Sequence, residues 1–376
     1  MIGALALALL AVASIGEMHR VTQQPSGKVR DARQATSLRV TAWYRAAAGA
    51  RETSIDIGPS GRPFFALGPV AMDGAFADGV RRPVILLSHG FGGSARAMAW
   101  FGKALAGRGY VVVAVDHPGN NGIDQMTAPG AALWWERAED LKLALRAVAA
   151  DAVIGPHLDT RRIGVAGFSL GGLTALIAGG ARVSPENVER FCRERPDDGI
   201  CRPQIEFAVS AAQARDVFED PKLKSETNDA RADHSVPGVR AVFAMAPVVQ
   251  PLDPASLRRF GKPLSIVVGA DDVTVPARTQ AEVAKALVPG GEAGAAARRY
   301  PLQLPRPLHG GGAARRTRLS ERDAAGGGAR WRDHRRAGAV RGRASVTVYA
   351  TAACRMSSTK RANSSSAAAL SGRRSR

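Results

Sequence analysis

The sequence predicts an α/β domain: a mostly parallel, doubly wound sheet with helices on both faces and a small insert at about residues 183–238. Three observations carry this. Five short apolar runs recur between residues 84 and 269, each continuous rather than alternating, as in strands buried on both faces. Helix-period segments separate several of them, which is what a parallel sheet needs to cover its faces. A glycine–serine–glycine turn sits where one such strand meets its helix.

Composition sets the bounds. The chain has 376 residues, 45% apolar and 23% charged, enough for one large domain with its own core. Beyond the first residues no apolar run reaches the about 18 residues of a membrane span. Three cysteines are too few for a disulfide scaffold. Of the formal charge of +19, +15 falls in residues 291–376, so the body before them is nearly neutral. The basic balance therefore does not mark the body as a nucleic-acid binder.

In chain order, residues 2–13 form a short apolar run ending in Ala11-Val12-Ala13, a small-x-small pattern that signal peptidases accept. No Lys or Arg precedes it, and Met18 is an alternative start, so residues 1–17 read as a signal peptide or a spurious start. Export to the periplasm or medium and a cytoplasmic location both stay open. Ser37-Leu-Arg-Val-Thr-Ala-Trp-Tyr44 alternates with period two and predicts an antiparallel edge strand. The parallel strands follow: Val84–Ser88, Tyr110–Val115, Ile163–Gly167, Ala241–Met245 and Leu264–Gly269. Helical patterns lie at Ala95–Ala106, Ala131–Ala150 and Leu170–Ala181. Residues 183–238 form the insert. In it Cys192 and Cys201 stand nine apart in a polar, turn-rich stretch, which suits a local disulfide; two unrelated thiols is the alternative.

The third parallel strand runs into Gly167-Phe168-Ser169-Leu170-Gly171-Gly172, a G-x-S-x-G pattern in its required strand–turn–helix context. The turn is so tight that residues two away from the serine must lack side chains. It presents Ser169 Oγ at the positive end of a helix, where developing anionic charge is favoured. A bare structural glycine turn is the alternative. The first strand ends in Ser88-His89-Gly90-Phe91-Gly92-Gly93, whose glycines leave backbone N–H groups open to a substrate oxygen. The two donors that a tetrahedral intermediate needs are assigned to Phe91 and Leu170. His89 reads as a structural loop residue. After the fifth strand, Gly269-Ala-Asp-Asp-Val-Thr-Val-Pro276 offers a carboxylate to orient a histidine: Asp272 by spacing, with Asp271 as the alternative.

Together with Val40–Tyr44 and Val115-Asp-His-Pro-Gly-Asn120, these motifs resemble the α/β-hydrolase superfamily over residues 18–289. Within it they look like the bacterial dienelactone-hydrolase-like and platelet-activating-factor-acetylhydrolase-like serine esterases. The paired Cys192 and Cys201 also look familiar there. True dienelactone hydrolases use a cysteine nucleophile, and Ser169 departs from that chemistry. The resemblance implies an α/β-hydrolase domain over 18–290 that cleaves a small carboxylic ester through an acyl-enzyme, without metal or organic cofactor. Trp100, Phe101 and Trp134, from the Trp134-Trp135 pair, are expected to line the substrate pocket, with at least one of that pair serving only to pack.

The base is the weak point. Only His309 and His334 follow Asp272. His309, in Pro307-Leu-His-Gly-Gly-Gly312, is assigned as base, with His334 or a chain with no competent base at all as the alternatives; His117 and His234 read as structural or pocket-lining. Residues 291–376 hold eight Leu, Ile, Val or Phe, too few to bury a core. Three readings compete for this tail: a disordered basic segment for an anionic surface or nucleic acid, a lipid-surface anchor, or a frame shift near residue 290, which the Arg, Gly, Ala and Ser content fits best. No nucleic-acid partner and no stable membrane insertion are expected, and the oligomeric state is open. A peptidase or amidase, or a catalytically dead hydrolase fold, are the rival functions.

Overall fold

A computed structural model describes residues 14–59 and 61–289, with the backbone alone of 292–294 and 345–347. The apolar run 2–13 and both late histidines, His309 and His334, lie outside the described residues.

The chain opens with strand β1 (Ile15–Gln23), a short helix α1 (Gly27–Arg30), β2 (Ser37–Arg45), and two small strands, β3 (Thr53–Ser54) and β4 (Pro69–Met72). The α/β succession follows: β5 (Arg82–Ser88), α2 (Ala99–Gly107), β6 (Val111–Asp116), α3 (Ala128–Ala132), α4 (Glu136–Ala150), β7 (Leu158–Phe168) and α5 (Leu170–Ala178). The insert carries α6 (Pro185–Glu194), α7 (Ala211–Glu219) and α8 (Lys224–Asn228). Then come β8 (Val239–Met245), α9 (Pro254–Arg258), β9 (Leu264–Val267) and α10 (Ala281–Leu287). These form one sheet in the order β3-β4-β1-β2-β6-β5-β7-β8-β9. Strands β5 to β9 run parallel, and β2 runs antiparallel to both β1 and β6. The mostly parallel sheet with a strand–serine–helix turn after β7 is the α/β-hydrolase architecture.

The continuous apolar runs have a simple physical cause. Along β6, Val111, Val113 and Val115 enter one core, while Val112 and Ala114 enter the other. Helices α4 and α5 close the first face, and α2 lies on the second. Gly102 lets α2 settle on Trp43: a Cβ there would come within 2.4 Å of the indole.

Three expectations change. The strand at Ser37 is not an edge: β1 pairs with its whole length, and Val40 to Tyr44 are buried. Its period-two pattern conceals that both of its faces are covered, with Tyr44 in one core and Trp43 in the other. The domain starts earlier than residue 18, because Ile15, Gly16 and Glu17 already pair in β1. The helix expected at Ala131–Ala150 is broken into α3 and α4, the first capped by Thr127 Oγ1, which accepts from Gly130 N at 3.0 Å. Trp100 and Phe101 sit on α2 against the second core, with the Phe101 ring stacked 5.7 Å from Phe243. Both are half-buried there, so part of their apolar surface packs on the sheet face under α2.

Candidate active site

Ser169 occupies the turn between β7 and α5 with φ 54° and ψ −117°, a region that non-glycine residues rarely enter. Such strain costs about 1–3 kcal/mol and persists only where the surroundings enforce it. Here they do. A Cβ on Gly167 would fall 1.9 Å from the Gly171 carbonyl oxygen, and one on Gly171 would fall 2.1 Å from that of Ser88. Ser169 N donates to Met245 O at 2.8 Å, tying the elbow to β8, while the Ser169 carbonyl accepts from Gly172 and Leu173.

The loop from Ser88 to Gly93 lies directly against this turn. A Cβ on Gly90 would stand 3.5 Å from Ser169 Cβ. Gly92 N donates to Asn120 Oδ1 at 3.1 Å, Gly93 N to Gly90 O at 3.1 Å, and Gly122 N to Gly93 O at 2.7 Å. Among the described residues, the amides of Phe91 and Leu170 donate to no protein acceptor. Two uncommitted donors therefore flank the Ser169 turn.

The loop carrying Asp272, called the acid loop below for the role the sequence suggests, follows β9. Asp272 Oδ1 accepts from Thr274 N at 3.0 Å and Val275 N at 2.8 Å, so the loop's own amides orient this carboxylate. Because β7, β8 and β9 are parallel neighbours, Ser169 and Asp272 leave the same edge of the sheet two strands apart.

None of the five described histidines hydrogen-bonds Ser169. His19 meets Glu17 at 2.9 Å, His157 stacks 3.8 Å from Phe76, and His234 meets Glu139 at 2.9 Å. His89 is buried, with Nδ1 2.7 Å from Gly90 O and Nε2 accepting from His117 N, so it is a loop anchor as expected. Burial, with the nearby His117 and Arg137, pushes its pKa well down. His117 is also sealed, 2.8 Å from both Ser88 Oγ and Asp140 Oδ2. Burial and the Arg137 charge push its pKa down to about 3 despite the Asp140 hydrogen bond.

The insert touches both loops. Cys192 and Cys201 form a disulfide with Cα atoms 5.3 Å apart. Beside it, a Cβ on Gly199 would lie 2.1 Å from Val273 O, and Asp198 Oδ2 accepts from Thr279 Oγ1 at 2.7 Å. A Cβ on Gly92 would meet Glu206 at 2.8 Å. The insert thus packs on the acid loop at one end and on the Phe91 loop at the other. Trp135 anchors it from below: it is wholly buried, and its Nε1 donates to Glu226 O at 3.0 Å. Trp134 is half-buried against the same core.

Sequence reasoning missed the polar layer under the Phe91 loop. Arg137 and Asp140 are wholly buried on α4, in register with the apolar stripe of Leu141, Ala144 and Val148. That was the available signal: charges standing where a helix's core face belongs. Arg30 holds Asp140 through two hydrogen bonds, at 2.6 and 3.1 Å. Burial works to raise the Asp140 pKa, but the Arg30 charge and the His117 bond outweigh it and hold the carboxyl well below the usual range.

Residues 75–188 match a family model described as PET hydrolase-like. The matched segment runs from before β5 through the Phe91 loop and the Ser169 turn into α6. No curated protein sequence matches the chain. Among solved structures, a ferulic acid esterase from Streptomyces cinnamoneus is 21% identical over 76% of this chain and 76% of its own, with a TM-score of 0.45. The matched segment and the fold support an ester hydrolase of the α/β-hydrolase superfamily.

Proposed function

We propose that this chain is a serine hydrolase that cleaves a small carboxylic ester through an acyl-enzyme. Ser169 Oγ attacks the ester carbonyl carbon while a histidine takes its proton, and the carbonyl π pair moves onto the oxygen. The Phe91 and Leu170 amides receive that oxyanion. The intermediate collapses, the alcohol leaves with the proton from the imidazolium, and Ser169 is acylated. Water, deprotonated by the same histidine, then releases the acid. Asp272 orients the imidazole, and His309 is the residue assigned to supply it.

One observation carries the reading: Ser169 is held at φ 54° by glycines that have no room for a Cβ. A purely structural glycine turn has no use for a strained serine at its apex. Short p-nitrophenyl esters test the proposal. We expect an initial burst of nitrophenol and fluorophosphonate labelling, both lost in Ser169→Ala. Turnover that survives Ser169→Ala would overturn the assignment, and loss of turnover in His309→Ala with labelling slowed in parallel would support the base.

A further inference from the structure

Arg137 is wholly buried, yet no carboxylate bonds its guanidinium directly. Asp140, one turn further along α4, is taken by Arg30, Gln24 and His117. Every acceptor of Arg137 is neutral, and they lie at the end of β5, on the loop after β6 and on α5. Nε donates to Thr174 Oγ1 at 3.0 Å, and that hydroxyl donates to Leu170 O at 3.1 Å, inside the first turn of α5. Nη2 donates to Ser88 Oγ at 3.3 Å and to the His89 carbonyl. Nη1 donates to Asn120 Oδ1 at 3.3 Å, and the same oxygen accepts from Gly92 N.

These bonds bracket both candidate oxyanion donors. His89 and Gly92, held through Arg137 and Asn120, flank the Phe91 amide on either side. The Thr174 relay grips the residue that carries the Leu170 amide. A planar guanidinium with five donors in a fixed fork suits this task, since a lysine presents a point charge and no fork. A buried cation without a direct anionic partner is costly to fold around, which argues for a role beyond filling space. We propose that Arg137 is a positioning residue for the oxyanion hole: one buried fork sets the Phe91 and Leu170 amides relative to each other. This inference rests on the serine-hydrolase reading given above.

Donors of this kind act mainly on the transition state, so misplacing them lowers kcat and leaves substrate binding nearly intact. The test uses the full chain with p-nitrophenyl butyrate, together with a trifluoromethyl ketone that adds to the serine as a tetrahedral anion. In Arg137→Met we expect kcat to fall about 100-fold with KM within about twofold, and affinity for the ketone to fall by the same factor. Arg137→Lys should lose about 10-fold, and Thr174→Val about fivefold in the same pattern. A folded Arg137→Met with kcat within about twofold of the parent overturns the inference, as does a loss shared with KM but not with ketone affinity. If the Arg137 variants do not fold, Thr174→Val decides, and an unchanged kcat there overturns it. Ser169→Ala separates the two levels. Turnover surviving in Ser169→Ala sinks the assignment of Ser169 as nucleophile, whereas normal Ser169 labelling beside a flat Arg137 series sinks this inference alone.

Discussion

His117 Nε2 lies 2.8 Å from Ser88 Oγ, while its Nδ1 lies 2.8 Å from Asp140. The three side chains repeat the residue types of a hydrolytic triad inside a protein that carries another serine on a strained turn. All three are wholly buried, and Ser88 Oγ also accepts from Arg137. This serine–histidine–aspartate set is a buried brace under the Phe91 loop with no route for an ester. Fluorophosphonate should label Ser169 alone. Peptide mapping of the labelled protein checks this: Ser88→Ala remains labelled, and an adduct on Ser88 would contradict it.

The same brace predicts acid lability. His117 titrates near 3 in the folded protein, and near 6.5 once unfolded and solvated. Its folded pKa is depressed, so its contribution is fully present above about pH 6.5. It is lost progressively as pH falls toward 3. Urea unfolding between pH 7 and pH 4 should show stability declining, with a flatter slope in His117→Gln. Equal slopes in parent and variant would refute the assignment.

Shortening the chain to begin at Met18 should be expensive. Glu17 is wholly buried; it accepts from Trp43 Nε1 at 2.7 Å and from Arg96 at 3.0 Å. Gly16 and Glu17 also pair with Ala71 and Met72 of β4. Removing them leaves the indole N–H of a fully buried tryptophan without its acceptor, worth about 1–3 kcal/mol by itself. With the lost pairing, a chain starting at Met18 should be about 3 kcal/mol less stable in urea than one starting at Ser14. Matching midpoints and slopes would show that these residues are dispensable.

The disulfide and Gly199 make separable contributions. Replacing Cys192 and Cys201 by serine opens a short loop and should cost about 2–3 kcal/mol. Gly199→Ala keeps the bridge but drives a methyl group against Val273 O, a backbone atom that cannot swing aside. That displaces the acid loop beside Asp272, so kcat/KM should drop by about 10-fold or more at temperatures where the fold is intact. Thermal melts and steady-state rates measured on both variants check this. Unchanged kcat/KM in Gly199→Ala would mean that the insert does not control the acid loop.

Much of the fold was legible because its signals are local. Apolar runs such as Val111–Val115 mark strands buried on both faces whatever they pair with. The glycines around Ser169 announce a turn whose tightness is a property of a few consecutive residues. Burial of β2 on both faces was not legible: its partner β1 begins in a segment that reads as leader sequence, and pairing depends on residues more than 20 positions apart, such as Trp43 and Glu17. The packing of Trp100 and Phe101 on the second core was not legible either, because bulky aromatics suit a substrate as well as they suit a core. Only the side of the sheet on which α2 lies decides which core they meet.

The Ser169 turn, the Phe91 loop and the Asp272 loop were therefore readable as local turns from the chain alone, because the shape of each is set by a few neighbours in sequence. How those pieces are held together was not. Arg137 joins Ser88, His89, Asn120 and Thr174, which lie 17 to 49 positions away from it along the chain. The insert reaches both the acid loop and the Phe91 loop. A buried cation is stable only where distant backbone and side-chain acceptors converge on it, and that convergence exists only once the sheet has brought them to one edge.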